Sequence, residues 1–466
     1  MTTSLTKFQA KLLGFTFKQE TQGIAEYRFD KNDLKVVIKE DHSKPVVTFM
    51  QMFRVGSRNE TPADDGLTRS HLTAALMNST SLAGTTGATH FLEHLMFKGT
   101  EEHNPDNGTG VFQTFGPLGN LLNATTSFDR TTYFECVSAQ HLETCMEIES
   151  DRMRNLRLDP AEVESERGVV LEEMSMGLKS PDRIMLARMY ETAFDVHPYQ
   201  WMTIGRRKDV ETVTLAQLRA YYDTFYWPDN CTLIMRGDLT ILQALRLIAK
   251  HYGEIPKAPH TIPIVWAVEP LHKGARRYEV RKAGALPRVL LGFHVSDAGH
   301  DDTYALAMIS QLLGNNELLS SRLYSGLIES GLAASASCTS MEQRNPGLFT
   351  IKATVSPDST VEQVEAALLA ELAKLATEPV PEEELQLARD SNRTSTMESL
   401  QDPMDWAQFI CSGEATVCDW RWKVEFDDEF DRVTAQDVQR VAAKYFTPLN
   451  RTIGHFVPTE NEADKA

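Results

Sequence analysis

Along the chain, stretches in which hydrophobic and polar residues alternate give way to stretches in which hydrophobic residues recur every three or four positions. The first pattern is that of strands, the second that of helices. Residues 34–39 and 46–55 alternate and are rich in β-branched residues, so two strands are predicted there. The turn-forming run Asp41-His42-Ser43-Lys44 lies between them and predicts a hairpin. Residues 131–137 predict a further strand. Residues 139–157 set Leu142, Cys145, Met146, Met153 and Leu156 along one helical face. Asp159-Pro160-Ala161-Glu162 reads as a helix start, with Asp as N-cap, Pro in the first turn and Glu three positions after the cap. Strands and helices are mixed without strict alternation, which predicts α+β layers rather than a doubly wound parallel sheet.

Residues 253–276 break both periods. They hold Pro256, Pro259, Pro263 and Pro270 and read as a semi-rigid linker. The two sides of that linker resemble each other. Val213-Thr214 through Phe225-Tyr226-Trp227-Pro228-Asp229-Asn230 matches Val433-Thr434 through Tyr445-Phe446-Thr447-Pro448-Leu449-Asn450 at a constant offset of 220 residues. Asp159-Pro160-Ala161-Glu162 pairs with Val380-Pro381-Glu382-Glu383 at nearly the same offset. Two matches at one offset indicate a duplicated domain, and the period is far too long for a solenoid. The expected organisation is a tail over 1–24, an α+β domain over 25–252, the linker over 253–276, a homologous α+β domain over 277–458 and a tail over 459–466. Each domain is expected to be a layered, antiparallel-rich sheet covered by helices.

The chain has 466 residues, room for several domains at roughly 150 residues each. Hydrophobic residues make up 42% and charged ones 24%, which excludes a disordered chain. Lys and Arg number 47 against 65 Asp and Glu, for a formal charge of −18. A basic footprint for phosphate is lacking, so nonspecific nucleic-acid binding is excluded. No apolar run reaches the length of a transmembrane helix, and the first twenty residues lack the apolar core of a signal peptide. Six cysteines without a CxxC pair fit a reducing compartment. A cytoplasmic location is expected, or a periplasmic one if a leader has been removed.

His90-Phe91-Leu92-Glu93-His94 has the form H-x-x-E-H, the inverted zinc-peptidase motif. Its context is helical, with Thr86 as a possible cap and Gly99 as a stop. One turn apart, His90 and His94 share a face, and two imidazoles so placed can bind one zinc ion. Glu93 is on that side too and can act as general base on a water. Catalytic zinc takes a third protein ligand. The run from Glu166 to Glu173 offers two carboxylates seven residues apart on one helical face. One of them binds the metal while the other orients a ligand from behind; Glu172 is a weaker candidate.

These runs resemble a family. Gly56-Ser57-Arg58-Asn59-Glu60, Thr89-His90-Phe91-Leu92-Glu93-His94-Leu95-Met96-Phe97-Lys98-Gly99-Thr100, Asn123-Ala124-Thr125-Thr126-Ser127, Thr131-Thr132-Tyr133-Phe134, Glu166-Arg167 with Glu173, and His197-Pro198-Tyr199 look like the pitrilysin family. That family of inverted zinc peptidases includes insulin-degrading enzyme and mitochondrial processing peptidase. The resemblance spans about residues 25 to 457 and is closest in look to the short single-unit bacterial members. It implies two homologous α+β domains and a substrate chamber enclosed by two subunits. It implies a zinc-dependent endopeptidase that hydrolyses short or unfolded peptides, with one zinc per chain. His90, His94 and Glu173 would be the ligands, Glu93 the base, and Glu166 the acid behind a ligand. An extended peptide would add to a sheet edge near residues 122–126 and touch Asn123, Ala124 and Thr125.

The sequence also departs from the family. Aligning Gly314 with Gly99 sets Ala305, Met308 and Ile309 opposite His90, Glu93 and His94, and Thr394 falls opposite Glu173. One chain therefore carries one metal box. Family members usually have an Arg and a Tyr seven residues apart in the second half, where they contact substrate. Here Leu327 and Ala334 occupy those places, and Arg322 and Tyr324, two apart and upstream, are poor substitutes. A heterodimer is expected, with a homologous subunit supplying the Arg–Tyr pair; the alternative is a homodimer. Residues 61–84, rich in Thr, Ser and Ala, form an insertion before the metal helix, either a lid or a passive loop. The rival functions are a non-catalytic core subunit and a peptide-binding protein of the same family. An intact His90, Glu93, His94 and Glu173 set speaks against a purely structural subunit.

Overall fold

The computed structural model describes residues 3–63, 82–118, 121–284, 286–314 and 320–459. They form two units. The first comprises Met1–Met174, Met202–Ala267 and Ser399–Arg421; the second comprises Ser175–Trp201, Val268–Glu398 and Trp422–Ala466.

The first unit is built on seven strands: β1 (Phe15–Thr21), β2 (Ile24–Phe29), β3 (Lys35–Glu40), β4 (Val46–Phe53), β5 (Leu121–Thr126), β6 (Thr131–Ser138) and β7 (Cys231–Gly237). Their order is β1-β2-β3-β7-β4-β6-β5. Only β3 and β7 run parallel; the other neighbours are antiparallel. The expected hairpin between β3 and β4 is therefore corrected: β7 lies between them. Every residue of β7 is buried, so it belongs at the centre of the sheet with a partner on each side. The short connection from β3 to β4 straddles its end. Asp41 N donates to Gly237 O, and Asp238 N donates to Val46 O. Gly237 makes this approach possible, because a Cβ there would lie 2.1 Å from Val46 O.

The second unit holds β8 (Arg276–Ala283), β9 (Arg288–His294), β10 (Ala333–Ser340), β11 (Leu348–Val355) and β12 (Arg451–Thr459). Read from its β8 edge, the order is β8-β12-β9-β11-β10. That repeats β3-β7-β4-β6-β5 strand for strand, and β8 with β12 is again the parallel pair. The repeat extends to details. Thr214 and Thr434 each open a helix with a capping box, closed by Gln217 and Asp437. Asn230 Nδ2 donates to Phe225 O at 2.9 Å, and Asn450 Nδ2 donates to Tyr445 O at 2.8 Å. The fold is thus α+β and duplicated, with the β1–β2 hairpin added to the first sheet.

The unit boundaries differ from the sequence expectation. Residues 1–24, expected as a tail, carry the helix Ser4–Leu12 and strand β1. Phe15 is buried and stacks on Phe29 with centroids 4.4 Å apart, which fixes this segment to the sheet. Residues 253–275 hold neither helix nor strand. The units also exchange segments. Helix Pro403–Thr416 belongs to the first unit, where its Glu414 reaches buried Lys35 at 2.5 Å and Arg54 at 3.3 Å. Trp420 Nε1 donates to Glu26 at 2.9 Å. Helix Pro181–Ala193 belongs to the second, where Tyr278 donates to Met185 O at 2.7 Å. Among the described residues, no helix is long and apolar enough to cross a membrane.

Candidate active site

The motif histidines lie on the helix Ala88–Met96. Phe91, Leu92, Leu95 and Met96 pack into the first unit's core, so His90, Glu93 and His94 occupy the opposite, partly open face. The expected cap, Thr86, does not cap. Its hydroxyl binds Asp209 at 2.5 Å and accepts from Arg206 N. The helix instead begins at Gly87, whose left-handed conformation lets it abut Gly205; a Cβ on Gly205 would lie 2.5 Å from Gly87. Glu60, distant in sequence, satisfies the free N–H groups. It accepts from Gly87 N at 2.7 Å and Thr89 N at 2.9 Å. Burial pushes the Glu60 carboxyl up to about 8 even against those bonds.

The acidic run lies on the helix Pro160–Gly177, whose start Asp159 caps through Ala161 N at 2.8 Å. This helix decides between the two carboxylates by geometry. Glu173 Oε2 lies 3.6 Å from both His90 Nε2 and His94 Nε2. Glu166 instead accepts from His94 Nδ1 at 2.8 Å, and Lys98 Nζ lies 2.6 Å from its other oxygen. Glu172 is exposed and takes no part. His90, His94 and Glu173 thus converge as three donors. Burial and the neighbouring His94 bring the His90 imidazole down to about 4, so it is neutral at ordinary pH. The bond to Glu166 raises His94, and in return holds the Glu166 carboxyl at about 2.

Two imidazole nitrogens and one carboxylate oxygen, with one imidazole oriented by a further carboxylate, match what zinc requires in a site open to water. The residues therefore fit the metal. Glu93 stands beside them. Burial raises its carboxyl above the usual range, and a 2.5 Å bond from the Thr126 hydroxyl to Oε2 opposes that rise.

Strand β5 lies at one edge of the sheet, opposite the β1 edge. Asn123 borders a cleft of about 370 Å³ together with Glu93, His94, Phe97 and Phe112. Phe97 and Phe112 stack with centroids 5.2 Å apart. The other two expected substrate contacts are placed differently. The Ala124 side chain is buried in the core, leaving only its backbone for a peptide. The Thr125 hydroxyl pairs with Thr132 at 2.7 Å and accepts from Arg130 at 3.2 Å. Three further residues have a place in this site to which the sequence patterns assign no role: Glu60, Lys98 and Thr126.

The second unit has no counterpart of the metal box among its described residues. Ala305, Met308 and Ile309 are core residues, and Thr394 bonds back to Asp390 O within its helix. Leu327 is fully buried, and Arg322 pairs with Glu384 at 2.8 Å. Of the insertion 61–84, residues 64–81 lie outside the described residues, but its ends meet in a bridge between Thr61 and Ala83.

Two family models match the sequence in tandem. One is described as insulinase (peptidase family M16) and covers residues 79–206. The other, described as the peptidase M16 inactive domain, covers residues 212–392. The zinc protease PqqE of Helicobacter pylori is 29% identical over 427 residues, which is 91% of this chain and 90% of that protein. The mitochondrial-processing peptidase subunit beta of Blastocladiella emersonii is 24% identical over 383 residues, 80% of each chain. The crystal structure of a protease from Helicobacter pylori superposes with a TM-score of 0.82 at 29% identity, covering 92% of this chain and 98% of that one. Two models of one family in tandem, and a likeness that runs nearly the length of a bacterial zinc protease, establish that the chain belongs to peptidase family M16.

Proposed function

We propose that the chain is a zinc-dependent endopeptidase that hydrolyses short or unfolded peptides, and that it is the metal-bearing subunit of a heterodimer. The observation that carries this is the meeting of His90 Nε2, His94 Nε2 and Glu173 Oε2 beside a half-buried Glu93. Zinc held by those three donors would polarise the peptide carbonyl and acidify a water. Glu166 fixes the His94 proton on Nδ1, which leaves Nε2 free as a donor. Lys98 offsets the charge of Glu166. Glu93 takes a proton from the attacking water as its oxygen bonds the carbonyl carbon. It returns that proton to the amine nitrogen as the C–N bond breaks. The free edge of β5 pairs with the peptide backbone, and the cleft beside Phe97 and Phe112 receives a side chain.

The heterodimer rests on the second unit. Leu327 fills the core where relatives carry the substrate-binding Arg, and Ala334 offers no phenol. A homologous subunit with both residues would complete a chamber shared by two chains. All six cysteines are free, which supports a reducing, cytoplasmic setting. The rival readings, a non-catalytic core subunit or a peptide-binding protein, leave Glu93 without a task. Glu93→Gln in the zinc-loaded protein is expected to abolish cleavage of unstructured peptides, assayed with and without the partner, while one zinc per chain remains. Turnover at the unsubstituted rate would remove Glu93 from the reaction.

A further inference from the structure

Glu93 sits on a flexible side chain, and its reach to a water depends on how that side chain is held. Among the described residues, one hydrogen bond holds it: the Thr126 hydroxyl donates to Oε2 at 2.5 Å. Thr126 is the last residue of β5 and is paired through its backbone with Thr131 of β6. It is β-branched, so its hydroxyl has few orientations once the strand is fixed. Two residues earlier on the same face, Ala124 is buried in the core, which anchors that face of the strand. The donor to Glu93 is therefore rigid on two counts.

We propose that Thr126 is a positioning residue for the base: its hydroxyl occupies Oε2, leaving Oε1 as the oxygen that exchanges the proton. The inference rests on the peptidase reading given above. The hydroxyl takes up a lone pair of Oε2, and Oε1 is the carboxylate oxygen left to meet a water. β5 is also the edge strand on which, in the proposed reading, a peptide would pair. The strand that sets the substrate's register is then the strand that sets the base. Aligning one aligns the other, with no further element between them.

The test compares zinc-loaded Thr126→Val, Thr126→Ser and Glu93→Gln with the unsubstituted protein, in the presence of the partner if one is needed. Valine keeps the shape and removes the donor. It is expected to lower kcat about 10- to 100-fold, as for a misplaced catalytic group, with KM within about twofold and zinc content unchanged. Serine is expected to restore kcat to within about threefold. A second readout needs no turnover: the side-chain carboxyl carbon of Glu93 in 13C-glutamate-labelled protein, assigned by its loss in Glu93→Gln. That resonance is expected to move in the valine variant and to return in the serine variant. A resonance unmoved by valine, or a valine defect that serine does not repair, overturns the inference. An unsubstituted protein silent on all peptides even with a homologous chain that carries the Arg–Tyr pair, while the resonance behaves as expected, would remove the peptidase reading and leave the Thr126 contact standing.

Discussion

At the scale of single residues, the site divides its carboxylates by what surrounds them. Glu173 faces two imidazole nitrogens, Glu166 faces an imidazole N–H and an ammonium, and Glu93 faces a hydroxyl. The same side chain is thereby a donor to a cation, an anchor for a ring and a base. Glu166→Gln tests the middle role. It keeps the volume but loses the charge that holds the His94 proton on Nδ1, and zinc affinity is expected to fall roughly 10- to 100-fold. Competition with a chromophoric chelator reads this directly, and an unchanged constant would show that His94 needs no such support. The grouping of His90, Glu93 and His94 was legible in the sequence because helical spacing alone places them on one face. Helical spacing alone left Glu166 and Glu173 open, because both occupy one face; the family resemblance chose Glu173, and the neighbouring helix gives the physical reason, since Glu173 is the one that meets the ring nitrogens. Thr126 was hidden for a similar reason: its partner is reached through tertiary packing of β5 on the metal helix.

At the scale of elements, the two units use one plan with different chemistry at corresponding helices. The helix Asp302–Leu313 stands where the metal helix stands in the first unit, but buried Ala305, Met308 and Ile309 take the places of His90, Glu93 and His94. Its polar anchor is Asp302 at the first turn, which binds Lys444 and Arg440 at 2.6 Å and Tyr445 at 2.8 Å. Burial would push its carboxyl up, yet these bonds from Lys444, Arg440 and Tyr445 hold it at about 2. The folded form is thus the stronger acid. Its contribution is complete above the ordinary Asp value near 4 and fades as pH falls towards 2. Thermal unfolding of the second unit is expected to lose about 1–2 kcal/mol over that window. Asp302→Asn should flatten that part of the profile, and an unchanged slope would count against the assignment. Strands were legible as elements because alternation and β-branching are local. Their pairing was not: β3 and β4 look like a hairpin until β7, far along the chain, is placed between them.

At the scale of the whole molecule, the second unit keeps the architecture of the first without its metal box among the described residues, and Leu327, where the family resemblance leads one to expect an Arg, is buried in its core. The purified chain is expected to bind one zinc and to remain silent on unstructured peptides alone. Adding a homologous chain that carries the Arg–Tyr pair should produce activity together with a complex of twice the mass by light scattering. Full activity from this chain alone would end the case for a division of labour. The duplication was legible through two matches at one offset. The exchange of segments was not, because nothing local in residues 175–201 or 399–421 says which sheet they will cover.

That exchange has a mechanical meaning. The chain passes from one unit to the other five times, at residues 174, 201, 267, 398 and 421. A single nick by an added protease within 253–275 would therefore not set two halves free. The carboxyl-terminal piece would still carry Glu414, held by Lys35 and Arg54 of the amino-terminal piece. The nicked protein is expected to elute as one species in native buffer and to part only in denaturant, so that its two pieces behave like subunits cut from a single fold.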